Sequence, residues 1–255
     1  FMKVSFLGTG TSQGIPVIGC NCRACLSDDP RDNRLRCSVS IKLGTSHFVI
    51  DVGPAFRQQM LRINALILDF VLLTHEHNDH IIGADDLRPF IFRQRDNMTI
   101  FAEDRVLEEL KLRFAYAFES DPYPGAPKFD LKSINVDNSF IHNGIKITPI
   151  RLFHGNLPIL GFRINDFAYL TDTKTIPRSE FKKLKGLKIL VLNALRKRPH
   201  HSHLNLKEAF DLSERISPEK TYLTHFSHDM GPVHEWENEL PKNIFASYDG
   251  LQIEI

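Results

Sequence analysis

Apolar positions in this chain come in short runs bounded by polar turns, the rhythm of strands more than of helices. Residues 3 to 7 form the first run, which ends in a glycine-rich turn, Gly8-Thr9-Gly10-Thr11-Ser12-Gln13-Gly14, and a cysteine-bearing loop reaching about Arg34. Ser38 to Leu43 and Phe48 to Asp51 read as a hairpin closed by Gly44-Thr45-Ser46. Phe70 to Leu73 is fully apolar, the signature of a buried strand. Further strands are predicted over Thr99 to Phe101, Lys146 to Phe153, Gly161 to Ile164, Ala168 to Leu170, Lys188 to Leu192, Thr221 to Leu223, Ile244 to Ser247 and Leu251 to Ile255. Helical spacing covers Pro54 to Ile63, Asp86 to Gln94, Asp104 to Phe118, Arg178 to Lys183 and Asn205 to Ile216, with a proline-rich connection at Asp121 to Pro127. Polar clusters repeatedly follow strands, which predicts an α/β fold with sheets at the centre and helices outside. No internal repeat and no long Ser/Pro/Gly linker divides the chain, so one domain over residues 1–255 is expected.

Composition narrows the function. Thirty-two Lys and Arg nearly cancel 31 Asp and Glu, leaving a net charge of +1, so a general electrostatic grip on nucleic acid is not expected. The longest uninterrupted apolar run is five residues, Phe114 to Phe118. A spanning helix needs roughly 18 to 20, so no membrane span is expected. With Phe1 set aside, Met2-Lys3-Val4-Ser5-Phe6 enters a strand pattern without the apolar core of a secretory signal, and a cytoplasmic protein is expected. Three of the four cysteines crowd together as Cys20, Cys22 and Cys25, a spacing that suggests metal rather than disulfides. Twelve histidines, falling in clusters, point the same way.

His75, His77, Asp79 and His80 form an H-x-H-x-D-H cluster directly after the apolar run at 70–73. Residues two apart in extended chain share a side, so His75 and His77 can grip one ion. A turn then lets Asp79 and His80 face a second. Imidazole and carboxylate suit zinc, manganese or iron, and leave room for an exchangeable water. The remaining ligand candidates also follow apolar runs: His154, Asp172 and His225. An aspartate can offer one oxygen to each of two cations, and Asp172 is assigned that bridging role.

In this order the seven residues resemble the metallo-β-lactamase superfamily, over nearly the whole chain. The resemblance implies a four-layered αββα sandwich. It puts His75, His77 and His154 on one ion, Asp79, His80 and His225 on the other, and Asp172 between them. Lactam hydrolysis is not the expected activity, because lactamases are exported and usually lack the histidine that here follows the aspartate, His80.

A cysteine loop over about residues 19 to 37 supplies three thiolates from Cys20, Cys22 and Cys25, one short of a tetrahedral structural zinc. His228, three residues after His225, is the natural fourth ligand, while Cys37 is expected to be a free thiol. The glycine-rich opening, this loop and Thr224-His225-x-x-His228 together resemble the PhnP-like phosphodiesterases. The opening alone is also similar to that of tRNase Z.

The expected activity is hydrolysis of a small, linear or cyclic, phosphate diester by a metal-bridging hydroxide, with Asp79 both binding metal and orienting the nucleophile. Histidine is a suitable proton donor to the leaving alkoxide. The resemblance places His201 of Pro199-His200-His201-Ser202-His203 at the donor position, yet that pattern has an aspartate where this chain has His203, and the choice between the two stays open. Arg196-Lys197-Arg198 either attracts a phosphate or is a solvated face. The alternatives are a tRNase Z-like endoribonuclease, a glyoxalase II-like thioesterase and a non-catalytic module stabilised by metal. Periodicity does not choose among pocket wall, lid and subunit contact for residues 114–127, nor between monomer and homodimer.

Overall fold

The computed structural model describes residues 1–255. Strands β1 (Met2–Gly8), β2 (Ser38–Leu43), β3 (Ser46–Ile50), β4 (Phe70–Leu72), β5 (Met98–Ala102) and β6 (Phe129–Ser133) belong to one sheet. Strands β7 (Phe140–His142), β8 (Ile145–His154), β9 (Leu157–Ile164), β10 (Phe167–Leu170), β11 (Ile189–Asn193), β12 (Lys220–Thr224) and β13 (Ile244–Ala246) form the other. The last strand, β14 (Gln252–Glu254), returns to the edge of the first sheet beside β1. The spatial orders are β14-β1-β2-β3-β4-β5-β6 and β7-β8-β9-β10-β11-β12-β13. Read in these orders, both sheets begin with three antiparallel pairings and end with three parallel ones. The halves therefore repeat each other in backbone, although no repeat is visible in sequence.

Side-chain alternation explains the layers. Phe48, Ile50, Phe70 and Leu72 point between the sheets and meet Ile147, Phe162, Ile164, Phe167, Tyr169 and Val191 in the central core. Their neighbours Val49, Val71 and Leu73 point outward onto α1 (Phe56–Arg62), α3 (Arg88–Gln94) and α4 (Asp104–Arg113). Leu190, Leu192 and Leu223 likewise face α5 (Leu206–Ile216) on the opposite side. Strands buried on both faces have to be continuously apolar, which is why Phe70 to Leu73 lacks alternation. The result is the αββα sandwich. No helix is long and apolar enough to cross a membrane.

Several element boundaries differ from expectation. The helix predicted over Asp104 to Phe118 stops at Arg113 and tightens into a 3-10 turn at Ala115–Ala117, because Phe114 is drawn into the core. The segment Arg178–Leu184 is 3-10 rather than α, and Asp86 lies in a 3-10 stretch ahead of α3. Strands β6 and β7 went unpredicted: they lie toward the sheet edges, half-buried and polar, where the apolar signal is weak.

Candidate metal centre

The polar residues after the strands converge at one edge of the sandwich. Asp51 follows β3, the segment Thr74–His80 follows β4, His154 ends β8, Asp172 follows β10 and His225 follows β12. Asp51, Asp172 and His225 take positive φ values of 66°, 57° and 60°, which turn the chain sharply as it leaves the sheet. This left-handed region is uncommon for residues other than glycine, and its occurrence at three strand ends around one cluster is backbone strain held where side chains must be aimed. Asp79 and His80 sit on a single turn of helix, α2 (Asn78–Ile81), which was expected only as a turn.

Hydrogen bonds on the far ring nitrogens aim the histidines. His80 Nδ1 donates to Asp51 Oδ2 at 2.7 Å, leaving Nε2 directed at Asp79 Oδ2 (3.2 Å) and Asp172 Oδ2 (3.3 Å). Thr74 Oγ1 donates to Asp51 Oδ2, so its lone pair receives His75 Nδ1 at 2.9 Å and His75 Nε2 is left bare. His154 Nδ1 faces the carbonyl oxygens of Asp172 (3.1 Å) and Ser202 (3.0 Å), which keeps its proton there and frees Nε2. His75 Nε2 and His77 Nδ1 lie 3.0 Å apart, and the His154 ring is 5.1 Å from His77 and 5.8 Å from His75 by centroid. His225 Nε2 is 3.0 Å from Asp172 Oδ1.

Electrostatics favour a cation at this place. Burial pushes His75 and His77 well toward the neutral, lone-pair form that a metal needs. Burial alone would do the same to His80, but Asp79, Asp172 and Asp51 surround it and raise it well above the ordinary histidine value. Burial would likewise raise Asp79 and Asp172; His80 outweighs it at Asp79, and His225 and His80 at Asp172, so both carboxylates stay ionised. Buried His80 Nε2 and His225 Nε2 nevertheless have no hydrogen-bond partner. Asp79, His80 and His225 bring one ligand atom each within 4.8 Å of one another, as do His75, His80 and Asp172, and His154, Asp172 and His203. Nitrogen and oxygen donors with orphaned nitrogens around an ionised carboxylate fit divalent ions.

A second cluster lies on the cysteine loop. Sγ of Cys20, Cys22 and Cys25 are 3.2, 3.5 and 3.6 Å from His228 Nδ1. Burial would raise the Cys22 thiol, but hydrogen bonds from the Cys25 backbone and the neighbouring side chains bring it down to about 7, whereas burial pushes Cys25 up to about 11. The loop is pinned to the chain after His228: Arg31 pairs with Glu237 at 2.7 Å, Asp32 Oδ1 accepts from Val233 N at 2.9 Å, and Arg23 pairs with Glu235. Cys37 is apart, buried against Thr224 Oγ1 at 3.2 Å and raised to about 12 by that burial.

The histidine loop separates its members. His203 is buried, 4.4 Å from the His154 ring and 4.7 Å from the His225 ring, with Nδ1 3.7 Å from Asp172 Oδ1. Burial and the His225 charge push it down to about 2, against the pull of Asp172. His201 is exposed and stacks loosely on His200 at 4.3 Å. The following helix α5 fixes the end of this loop through a capping box, in which Asn205 and Glu208 satisfy each other's backbone N–H groups at 2.8 and 2.9 Å. Arg196 and Arg198 share Asp229, and Lys197 pairs with Glu239, so two carboxylates partly offset the three cations of this basic surface run.

The profile of the beta-lactamase superfamily domain matches residues 46–226, which runs from β3 past His225. The chain belongs to the metallo-β-lactamase superfamily. A solved diphosphatase from the PhnP family is 36% identical, with a TM-score of 0.93, covering 100% of this chain and 97% of that one, which places the chain in that family of the superfamily. An octanoyltransferase of Porphyromonas gingivalis is 41% identical over 254 residues, 98% of this chain and 51% of that protein. A ribonuclease Z of Staphylococcus epidermidis is 27% identical over 169 residues, 64% of this chain and 49% of that protein. The chain thus spans about half the length of these two curated relatives.

Two residues of the site were not legible in the sequence. Asp51, fully buried, accepts from Thr74 N and Thr74 Oγ1 at 2.8 Å each as well as from His80, and so holds both histidine groups. The signal was present in Asp51-Val52-Gly53: a charged residue ends an apolar strand just before a glycine. A Cβ on Gly53 would lie 2.2 Å from the Asp79 carbonyl oxygen, so only glycine lets this turn pass under the metal loop. Asn193, at the end of β11, accepts from Thr173 N (2.7 Å) and donates to Thr173 O (3.1 Å), bracing the turn that carries Asp172.

Proposed function

We propose that this metallo-β-lactamase superfamily hydrolase is a binuclear phosphodiesterase acting on a small, linear or cyclic, phosphate diester. The observation that carries the reading is Asp172: one buried carboxylate within ligand reach of His75, His80 and His154, with His80 at one of its oxygens and His225 at the other. His75, His77 and His154 would hold one divalent ion, Asp79, His80 and His225 the other, and Asp172 both; zinc, manganese or iron suits these donors. Cys20, Cys22, Cys25 and His228 would hold a structural zinc, with no position left for water. When bound, the catalytic pair supplies Lewis-acid charge to the phosphoryl oxygens and acidifies water.

The chain's own groups do the rest. Asp79 is engaged at Oδ2 by His80, so its other oxygen is available to orient the attacking water. His203 stands closer to the centre than His201 and is the proton donor in this reading. Burial among other histidines favours its neutral ring, and the negative charge of a phosphoryl group beside it would act in the opposite direction. The PhnP-family diphosphatase and the ribonuclease Z both act, by name, at phosphoester or phosphoanhydride bonds, which supports this chemistry. A net charge of +1 favours a small substrate over RNA.

A second reading has one observation in its favour. The relative named octanoyltransferase would make an acyl thioester the substrate, but that name describes a protein about twice as long as this chain. Hydrolysis of bis(p-nitrophenyl) phosphate and of an octanoyl thioester by the metal-loaded protein separates the two. The diesterase reading requires turnover of the first that disappears on chelation. Turnover of the thioester alone would replace it.

A further inference from the structure

His75, His77 and Asp79 belong to the centre, while Glu76 and Asn78 contact α4, whose half-buried stripe Arg105, Glu109 and Arg113 repeats at intervals of four residues, about one helical turn. Arg105 Nη1 pairs with Glu76 Oε1, and Arg113 Nε donates to Asn78 Oδ1 at 3.0 Å while its Nη1 pairs with Glu109 at 2.8 Å. The second arm of Arg105 reaches the other sheet: Nη2 donates to Pro158 O at 2.6 Å. Pro158 pairs across the β8–β9 hairpin with Phe153, the residue before His154. One guanidinium therefore spans the two sheets at the point where His75 and His77, from the first, must meet His154, from the second.

We infer that Arg105 is a positioning residue that sets the spacing of the His75/His77/His154 set, and that α4 acts as a clamp on the metal loop through Arg105 and Arg113. His80 and His225 do not depend on the Arg105 contact, because His80 is aimed by Asp51 and His225 by the turn after β12. A bidentate guanidinium is needed, since one donor group has to serve Glu76 and a carbonyl at once. An ammonium could serve both acceptors only if they came within reach of a single nitrogen, whereas here they are met by two, Nη1 and Nη2. The inference rests on the two-ion reading proposed above, and metal affinity rather than turnover tests it.

The experiment is a chelator titration of the full, zinc-loaded chain, following zinc release, with the Cobalt(II)-substituted protein followed by its visible absorption. Arg105→Met is expected to weaken one ion by roughly 10–100-fold, the usual effect of losing a group that orients a ligand, and to leave the other ions where they were. Arg105→Lys recovers part of the loss, and Arg113→Met shows a smaller shift in the same ion. Thermal unfolding of each zinc-loaded variant is measured alongside. Release curves that superimpose on the wild type overturn the inference, and so does an equal weakening of every ion that tracks a fall in thermal midpoint. If the wild type holds a single ion in the histidine cluster, the binuclear reading fails on its own, and the clamp is then judged on whether Arg105→Met weakens that ion.

Discussion

The two sheets repeat one topology, and at equivalent places they carry equivalent residues put to different uses. Asp51 leaves β3 and Asp172 leaves β10, each where antiparallel pairing gives way to parallel, and each with a left-handed backbone. Such a switch point is where an open crevice forms at the strand ends, which accounts for the position of the site. Asp51 is already engaged: Thr74 N, Thr74 Oγ1 and His80 Nδ1 occupy three of its roughly four acceptor sites. Asp172 receives only Thr171 Oγ1 at 2.7 Å by a conventional hydrogen bond, and its oxygens face ring nitrogens that lack a partner. One half of the sandwich supplies the holder and the other the ligand. The difference lies in the neighbours of a shared position, not in the residue type.

Substitutions should separate these roles. Asp172→Ala removes the group shared by both ion sets and is expected to lower kcat/KM for bis(p-nitrophenyl) phosphate on the order of a thousandfold, the equivalent of several kcal/mol of charge stabilisation. A smaller loss would make the two aspartates alike and break the comparison. Asp51→Asn should weaken both ions of the histidine cluster, each by roughly 10–100-fold, with kcat largely restored at saturating metal, because it disturbs aim and not ligation. Rate measurements across a metal titration check this, and an unrecoverable kcat would show that Asp51 does more than hold. Outside both sheets, Cys22→Ser is expected to empty the cysteine site and lower the thermal midpoint by roughly 5–10 °C, at about 2–4 °C per kcal/mol for a chain of this size. Its kcat should change by less than about twofold, read by calorimetry and assay on one preparation.

The candidate ligands were legible in sequence because each follows an apolar strand, and a strand end is a rigid mount whose neighbours can be guessed from one apolar run. His75, His77, Asp79, His80, His154, Asp172 and His225 all meet at one edge as that logic requires. Cys20, Cys22, Cys25 and His228 were legible for a different reason, since thiol spacing within one loop is local. What remained hidden is non-local. Asp51 is an ordinary strand-end carboxylate until His80 is brought beside it by parallel pairing of β3 and β4. Nothing in Pro199 to His203 distinguishes His201 from His203 until α5 is capped and one ring is buried while the other is left in solvent. The repeated topology was likewise invisible, because a continuous apolar run marks a strand as buried on both faces but does not say which strand it pairs with.

The most direct test is an anomalous difference map from crystals of the zinc-loaded protein, recorded on both sides of the zinc edge. The account predicts two peaks flanking the Asp172 carboxylate, one against His75, His77 and His154 and one against Asp79, His80 and His225, and a third among Cys20, Cys22, Cys25 and His228. A single peak in the histidine cluster, or a pair that leaves Asp172 unshared, would contradict it.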